Sequence, residues 1–172
     1  YTAKQTLDLA QALYEKAIAL SFEERGGTTG ADRYVKDTEK KPIDYVNPMD
    51  GADIKYSHSA VSTITIAWEP GAENFERNLE RIITQKWIAN FPNGMEPWTE
   101  YRRTGYPKLM PMAANASGGI VNDAEGARRM PYPTDEYREN RESVEAAVAT
   151  LTQESKTKRG DTMATHVWWD CK

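Results

Sequence analysis

Two punctuated stretches, Pro92-Asn93-Gly94 and Gly105-Tyr106-Pro107, constrain this chain more than any other feature. The first predicts a turn, because proline fixes φ and Asn-Gly tolerates positive φ. The second ends whatever precedes it, since glycine suits the C′ position of a helix and proline prevents continuation. Between them, Pro97 suits the first turn of a short helix, on which Trp98 shares a face with Tyr101 or Arg102. Before them, residues 74–91 carry the strongest helical pattern in the chain. Phe75, Leu79, Ile82, Ile83 and Trp87 form one stripe, and Glu76, Arg77, Glu80, Arg81 and Lys86 form the polar face. Charge along this helix runs from acidic to basic, in the sense that the macrodipole favours. Helix, tight turn and helix predict an αα-hairpin.

Two further helices are expected. Residues 4–22 place Leu7, Ala10, Leu13, Tyr14, Ala17, Ile18 and Phe22 at spacings of three and four, and Gly26-Gly27 stop the pattern. Residues 135–151 align Tyr137, Val144, Val148 and Leu151, with Thr134 or Asp135 as the cap. Residues 26–60 and 106–133 read as long loops, a length usually reserved for functional or mobile segments. Val61–Trp68 alternates, with Ile64, Ile66 and Trp68 on one side, and predicts a short strand or extended segment. Residues 128–133 should be extended, because residues before proline avoid the α region. Residues 152–161 read as polar and flexible, and Val167, Trp168 and Trp169 as a bulky apolar patch. The fold class is therefore mainly α: an irregular helical domain with long loops and at most short strands.

Composition removes several function classes. Of 172 residues, 28% are charged and the net charge is -4, which gives no basic footprint for nucleic acid. Five Trp and nine Tyr argue against disorder. No apolar run approaches the roughly 20 residues of a membrane-spanning helix. The single cysteine, Cys171, forms no intrachain disulfide or cysteine-based metal site. His58 and His166, the two histidines, lack metal-binding spacing, so no metal and no cofactor is expected. Gly26-Gly27-Thr28-Thr29-Gly30 lacks the Lys-Ser/Thr of a phosphate loop and reads as a helix stop. Glu96 and Glu100 have no nearby nucleophile or base to make a hydrolase pair. The pairs Arg102-Arg103 and Arg128-Arg129 and the run Lys156–Arg159 read as solvated faces, and Glu100 can pair with Arg103.

Binding remains. Aromatic faces that stack on sugar rings, with a polar handle left wet, suit carbohydrate recognition. By residue type the candidates are the loop tyrosines Tyr34, Tyr45, Tyr56 and Tyr106.

Four stretches in order also resemble one family. Tyr14-Glu15-Lys16 with Ser21-Phe22-Glu23 is similar to a "Y-E-x-G-I-x-x-S-F" helix, with Ala17 where glycine is frequent. Phe75–Ala89 and then Trp98-Thr99-Glu100-Tyr101-Arg102-Arg103-Thr104-Gly105-Tyr106-Pro107 match "W-x-E-x-R-R-T-G-Y-P" and the helix before it. Arg128-Arg129-Met130-Pro131-Tyr132-Pro133 matches "R-R-x-x-Y-P", and Trp168-Trp169-Asp170 a terminal "W-W-D". The chain thus resembles the SusD/RagB outer-membrane nutrient-binding lipoproteins, over most of its length. The resemblance implies a helical protein with TPR-like hairpins, in which residues 1–172 are the C-terminal region of a longer chain. The part lacking here would hold most TPR-like hairpins and an N-terminal lipid anchor to the outer face of the outer membrane. The family's partners would be a SusC-like TonB-dependent transporter and an oligosaccharide or polysaccharide ligand. Capture of a peptide or other nutrient, or a scaffold segment with no ligand site, are alternatives, and an enzyme is the weakest reading. The resemblance carries over no ligand residues. It does imply that the stripe of Leu7, Leu13 and Ile18 lacks its native partner, so that this face is exposed or self-associates.

Overall fold

A computed structural model describes residues 2–50 and 56–170. Cys171 and residues 51–55 of the first long loop lie outside the described residues.

Helix α1 (Ala3–Glu24) begins with a capping box, in which the Thr2 hydroxyl accepts from the Gln5 N–H at 3.2 Å and the Thr2 N–H donates to Gln5 Oε1 at 2.8 Å. Each partner satisfies a donor that the helix end leaves without an acceptor. The helix ends as the Gly26-Gly27 pair requires. The Gly26 N–H donates to Glu23 at 2.9 Å and the Gly27 N–H to Phe22 at 2.7 Å, with Gly26 at φ 78°. This pair of bonds is a Schellman closure, which needs a left-handed residue at C′. Only Tyr14 and Ile18 of α1 are buried. They form a small core with Val35, against which Phe22, Tyr34, Trp68 and Ile82 pack.

The loop after α1 contains a four-residue helix, α2 (Ala31–Tyr34), too short to leave a periodic signature. Further on, Tyr45 and His58 form a single antiparallel bridge. Residues 62–66 alternate as expected, with Ser62, Ile64 and Ile66 buried and Thr63 exposed, before the chain bends at Ile66–Ala67. No named strand occurs among the described residues, because side chains replace the missing ladder. Tyr14 Oη donates to the Ile66 carbonyl at 2.7 Å and Arg81 Nε to the Thr65 carbonyl at 2.8 Å. Asn78 holds both polar groups of the Glu69 backbone. Backbone polar groups taken out of water must be paired somewhere.

Helix α3 (Phe75–Ala89) and helix α4 (Met95–Thr104) form the predicted hairpin. Lys86 joins them, 2.7 Å from Glu96 Oε1 and 3.0 Å from Glu100 Oε1. Gly105 closes α4 at φ 75°. The turn between the helices departs from expectation: Gly94 has φ -86°, and the bond Phe91–Pro92 is cis. The reversal uses a cis proline and an Asn93 side chain that accepts from the Met95 N–H, with no left-handed residue.

Of the predicted polar face of α3, Glu76 and Arg77 are exposed and Lys86 partly so, but Glu80 and Arg81 are buried. Asn78, Glu80, Arg81 and Ile83 are its buried residues, while Phe75 is 59% exposed. Arg81 is fully buried, because every direction of its guanidinium finds an acceptor: Thr65 O, Asn78 Oδ1 and Glu69 Oε1. Burying an ion is tolerated only with pairing and hydrogen bonds of this completeness.

The helix expected over 135–151 is two helices, α5 (Thr134–Glu139) and α6 (Arg141–Glu154), which break at Asn140. Neither Thr134 nor Asp135 is the cap. Pro133 occupies that position without a side-chain bond, and its carbonyl accepts from the Glu136 N–H. Residues 155–161 are polar but packed, with Ser155 and Gly160 buried.

Candidate functional site

Three of the stretches that carry the family resemblance meet at one place. Arg102 of α4 and Arg128 exchange bonds, each donating to the other's carbonyl, at 2.7 and 3.1 Å. Arg128 also grips Asp170 with two nitrogens. The Arg102 guanidinium lies between indoles, 3.5 Å from the Trp98 centroid and 4.6 Å from that of Trp169. Trp98 Nε1 donates to the Ala127 carbonyl at 3.0 Å. Beside this cluster, Arg129 pairs with Asp161, which also accepts from the Tyr132 N–H and from Tyr137 Oη. Burial alone would raise the Asp161 pKa, but the bonds from Tyr137 and Arg129 outweigh it and hold the carboxyl below its usual range. Arg102, Arg128 and Arg129 are therefore buried clamps and not the solvated faces expected of them. His166 is buried in the same cluster, with Nδ1 3.2 Å from Asp170 Oδ1. Arg128 and Arg129 are neutralised by Asp170 and Asp161, and Arg102 is held by carbonyls and two indole faces, so the cluster is engaged within the chain and acts as a scaffold. The terminal aromatic patch is divided by it: Trp169 is stacked inside and Trp168 is 87% exposed.

The four candidate tyrosines do not form one site. Tyr34 packs its ring on Phe22 and donates to Gln85 Oε1 at 3.0 Å, so it belongs to the junction of α1, α2 and α3. Tyr106 donates to Glu76 Oε2 at 3.0 Å, and burial followed by this bond pushes its phenol up to about 12. Tyr45 and Tyr56 lie on one arm, which stands on the bridge between Tyr45 and His58. Tyr45 is 48% exposed and Tyr56 half-buried.

The arm is held by its own polar groups. Asp50 accepts from the Tyr56 and Ser57 N–H groups, both at 2.7 Å, and Asp44 accepts from the Ala60 N–H at 2.8 Å. The Ser57 hydroxyl and the Tyr56 N–H hold the Asp50 pKa below its usual value. Asn47 is buried, with its N–H on Ser57 Oγ and its Oδ1 accepting from Met49. Among the described residues of the arm, the large apolar and aromatic side chains that are exposed include Ile43, Tyr45, Val46 and Met49. Sequence reasoning does not single out the three aliphatic ones, because they follow neither a helical nor a strand period. Exposed aromatic and apolar side chains of this kind can stack on a flat apolar ligand face.

A second open surface lies in the loop after α4. A saddle of about 570 Å³ is lined by Pro111, Asn115, Gly119, Val121, Asn122 and Asp123. Asn115 Nδ2 ties the loop to the Val121 carbonyl at 2.8 Å and to Asp123 Oδ1 at 2.6 Å. Among the described residues, no group of three His, Cys, Asp or Glu could hold a metal ion.

A family model described as "SusD-like: Susd and RagB outer membrane lipoprotein" matches residues 3–170. Solved structures agree. A SusD homologue from Bacteroides ovatus is 71% identical with a TM-score of 0.86, over 94% of this chain and 32% of that one. Another from Bacteroides thetaiotaomicron is 45% identical with a TM-score of 0.85, over 94% and 33%. A chitin-binding SusD homologue from Flavobacterium johnsoniae is 41% identical with a TM-score of 0.82, over 94% and 31%. The chain thus spans about a third of the length of these relatives. No curated protein matches it.

Proposed function

Because the chain belongs to the SusD-like family of SusD and RagB outer membrane lipoproteins, we propose that it serves in cell-surface binding of glycan oligosaccharides and their delivery to a SusC-like TonB-dependent transporter. The observation that carries the reading is the 41% identity, over 94% of this chain, to a relative that binds chitin. The arm bearing Tyr45 supports it, since an exposed ring beside polar groups suits the apolar face of a sugar ring. The role is binding and not turnover. The buried carboxylates Asp161 and Asp170 are engaged by Arg129 and Arg128, and exposed Glu96 is paired with Lys86. No helix among the described residues is long and apolar enough to cross a membrane.

Affinity gel electrophoresis against a panel of soluble polysaccharides, including a soluble chitin derivative, tests the reading. Retardation of this chain places a glycan site within its 172 residues. Retardation of the full-length 71%-identical homologue alone moves the site to the other two-thirds of the protein and leaves this region a scaffold. If neither is slowed by any member, the glycan reading gives way to a peptide or other nutrient.

A further inference from the structure

The segment that ends in Tyr132-Pro133 and the helices that follow it enclose a cleft of about 330 Å³, apart from both the Tyr45 arm and the saddle. One wall is Tyr132 with Pro133. Tyr132 is 37% exposed, yet it is held in place. Its N–H donates to the Asp161 carboxylate at 3.1 and 3.2 Å, and the Arg129 guanidinium lies over its ring, 5.0 Å from the centroid. Arg129 does not line the cleft, so it braces the ring without filling the space. The other wall is helical. Glu136, Asn140 and Ser143, spaced by four and three, face the cleft from α5 and the start of α6, and all three are exposed. Val144, buried, and Ala147, half-buried, give it a small apolar base. The break between the helices leaves Asn140 available. At φ -135° and ψ 39° it makes no side-chain bond to the first turn of α6, and its amide reaches only Glu136 Oε2, at 3.4 Å. A bond of that length is weak, so both side chains keep capacity for an external partner.

The chemistry of these walls selects a ligand. An amide and a hydroxyl each donate and accept, and a carboxylate accepts. That mixture suits sugar hydroxyls, which also do both. A fixed aromatic ring beside a small apolar base suits the C–H face of a pyranose. Charge narrows the choice further. Residues 135–145 carry five carboxylates and two arginines. Arg138 is taken up by Asp135 and Glu139 and Arg141 by Glu145, and no cation among the described residues pairs with Glu136. An anionic ligand would be repelled by that excess. The volume is near the lower bound of small-ligand clefts, roughly 300 Å³, which suits a short stretch of an oligosaccharide. We infer that this cleft is a second sugar site, for neutral pyranose oligosaccharides. Tyr132 stacks on a ring, while Glu136, Asn140 and Ser143 bond its hydroxyls. The inference rests on the glycan reading and adds to it a site and the exclusion of uronic and sulfated sugars.

Amide NMR of the chain tests it, because the cleft and the arm report separately. The neutral probes are chito-, cello- and malto-oligosaccharides, and the acidic probe is an oligogalacturonide. At least one neutral series should shift the Asn140 side-chain amide and the Ser143 N–H, and the oligogalacturonide should not. Tyr132→Ala should weaken that binding about tenfold and leave shifts at the arm unchanged. Asn140→Ala, an exposed position that decides the matter should Tyr132→Ala not fold, should weaken it about fivefold. Shifts at the arm alone, or unchanged cleft affinity in Asn140→Ala, overturn the second site and leave the glycan reading standing. Equal shifts with the oligogalacturonide overturn the selection by charge. Shifts at neither place with any neutral probe overturn both readings. The same titrations in the full-length 71%-identical homologue, with its matching third replaced by this sequence, decide the matter should the chain alone not fold.

Discussion

The clamp region and the face between α1 and α3 invert the usual arrangement of a domain. Where α4, the Arg128-Arg129 segment and the tail meet, the interior holds Arg102, Arg128, Asp170 and His166. Where α1 faces α3, the hydrocarbon of Leu13 and Ile88 is in water. The contrast teaches that charge sits inside wherever partners within this chain complete it. Apolar surface stays outside where no partner in this chain covers it. The charged cluster therefore holds shape.

Four substitutions would sharpen or break that contrast. Arg128→Ala leaves Asp170 buried without its guanidinium and the Arg102 carbonyl without a donor, and should cost about 3–5 kcal/mol in urea unfolding. Loss of less than 1 kcal/mol would show that the cluster is incidental. Ile18→Ala, in the small core below that face, should cost about 2–4 kcal/mol by the same measurement. Glu69→Gln tests the Arg81 side of the interior through pH. The bidentate bond from Arg77, aided by the charge of Arg81, lowers the Glu69 pKa from 4.5 to about 2. A depressed folded pKa stabilises fully above 4.5 and loses that contribution as pH falls to about 2. The difference in melting temperature between wild type and Glu69→Gln should therefore shrink over that window; a constant difference refutes the pairing. Leu13→Ala should change the stability of this chain by no more than about 0.5 kcal/mol, because little of that side chain is buried. A large loss would mean that the face is already covered.

Much of the helical skeleton was legible. Gly26-Gly27, Gly105 and the stripes of α1 and α3 announce their elements through local rules, and the expected mainly α class with long loops is what forms. The interior was less legible. Glu80 and Arg81 read as surface because hydropathy weighs each residue alone, whereas their burial depends on Ser62, Lys108, Thr65 and Glu69, distant along the chain. Arg102 and Arg128 fail for the same reason, and only the family resemblance hinted that they matter. The break at Asn140 left no trace in an otherwise helical pattern. Of the α1 stripe, Leu13 is exposed as expected, Leu7 is half-buried, and Ile18 is buried by Tyr14 and Val35 of its own chain. The candidate tyrosines were chosen by type and loop position, which cannot distinguish Tyr45, left open on its arm, from Tyr34 and Tyr106, whose hydroxyls are engaged.

That distinction leads to the most direct test. Isothermal titration should compare wild type with Tyr45→Ala, using oligosaccharides of whichever polysaccharide retards the chain. Tyr45 is 48% exposed and its bridge to His58 is made by backbone that alanine keeps, so the melting temperature should hold while affinity falls at least severalfold. Unchanged affinity in Tyr45→Ala, or no heat of binding to any glycan in wild type, would contradict the proposal that this chain captures sugars through its arm.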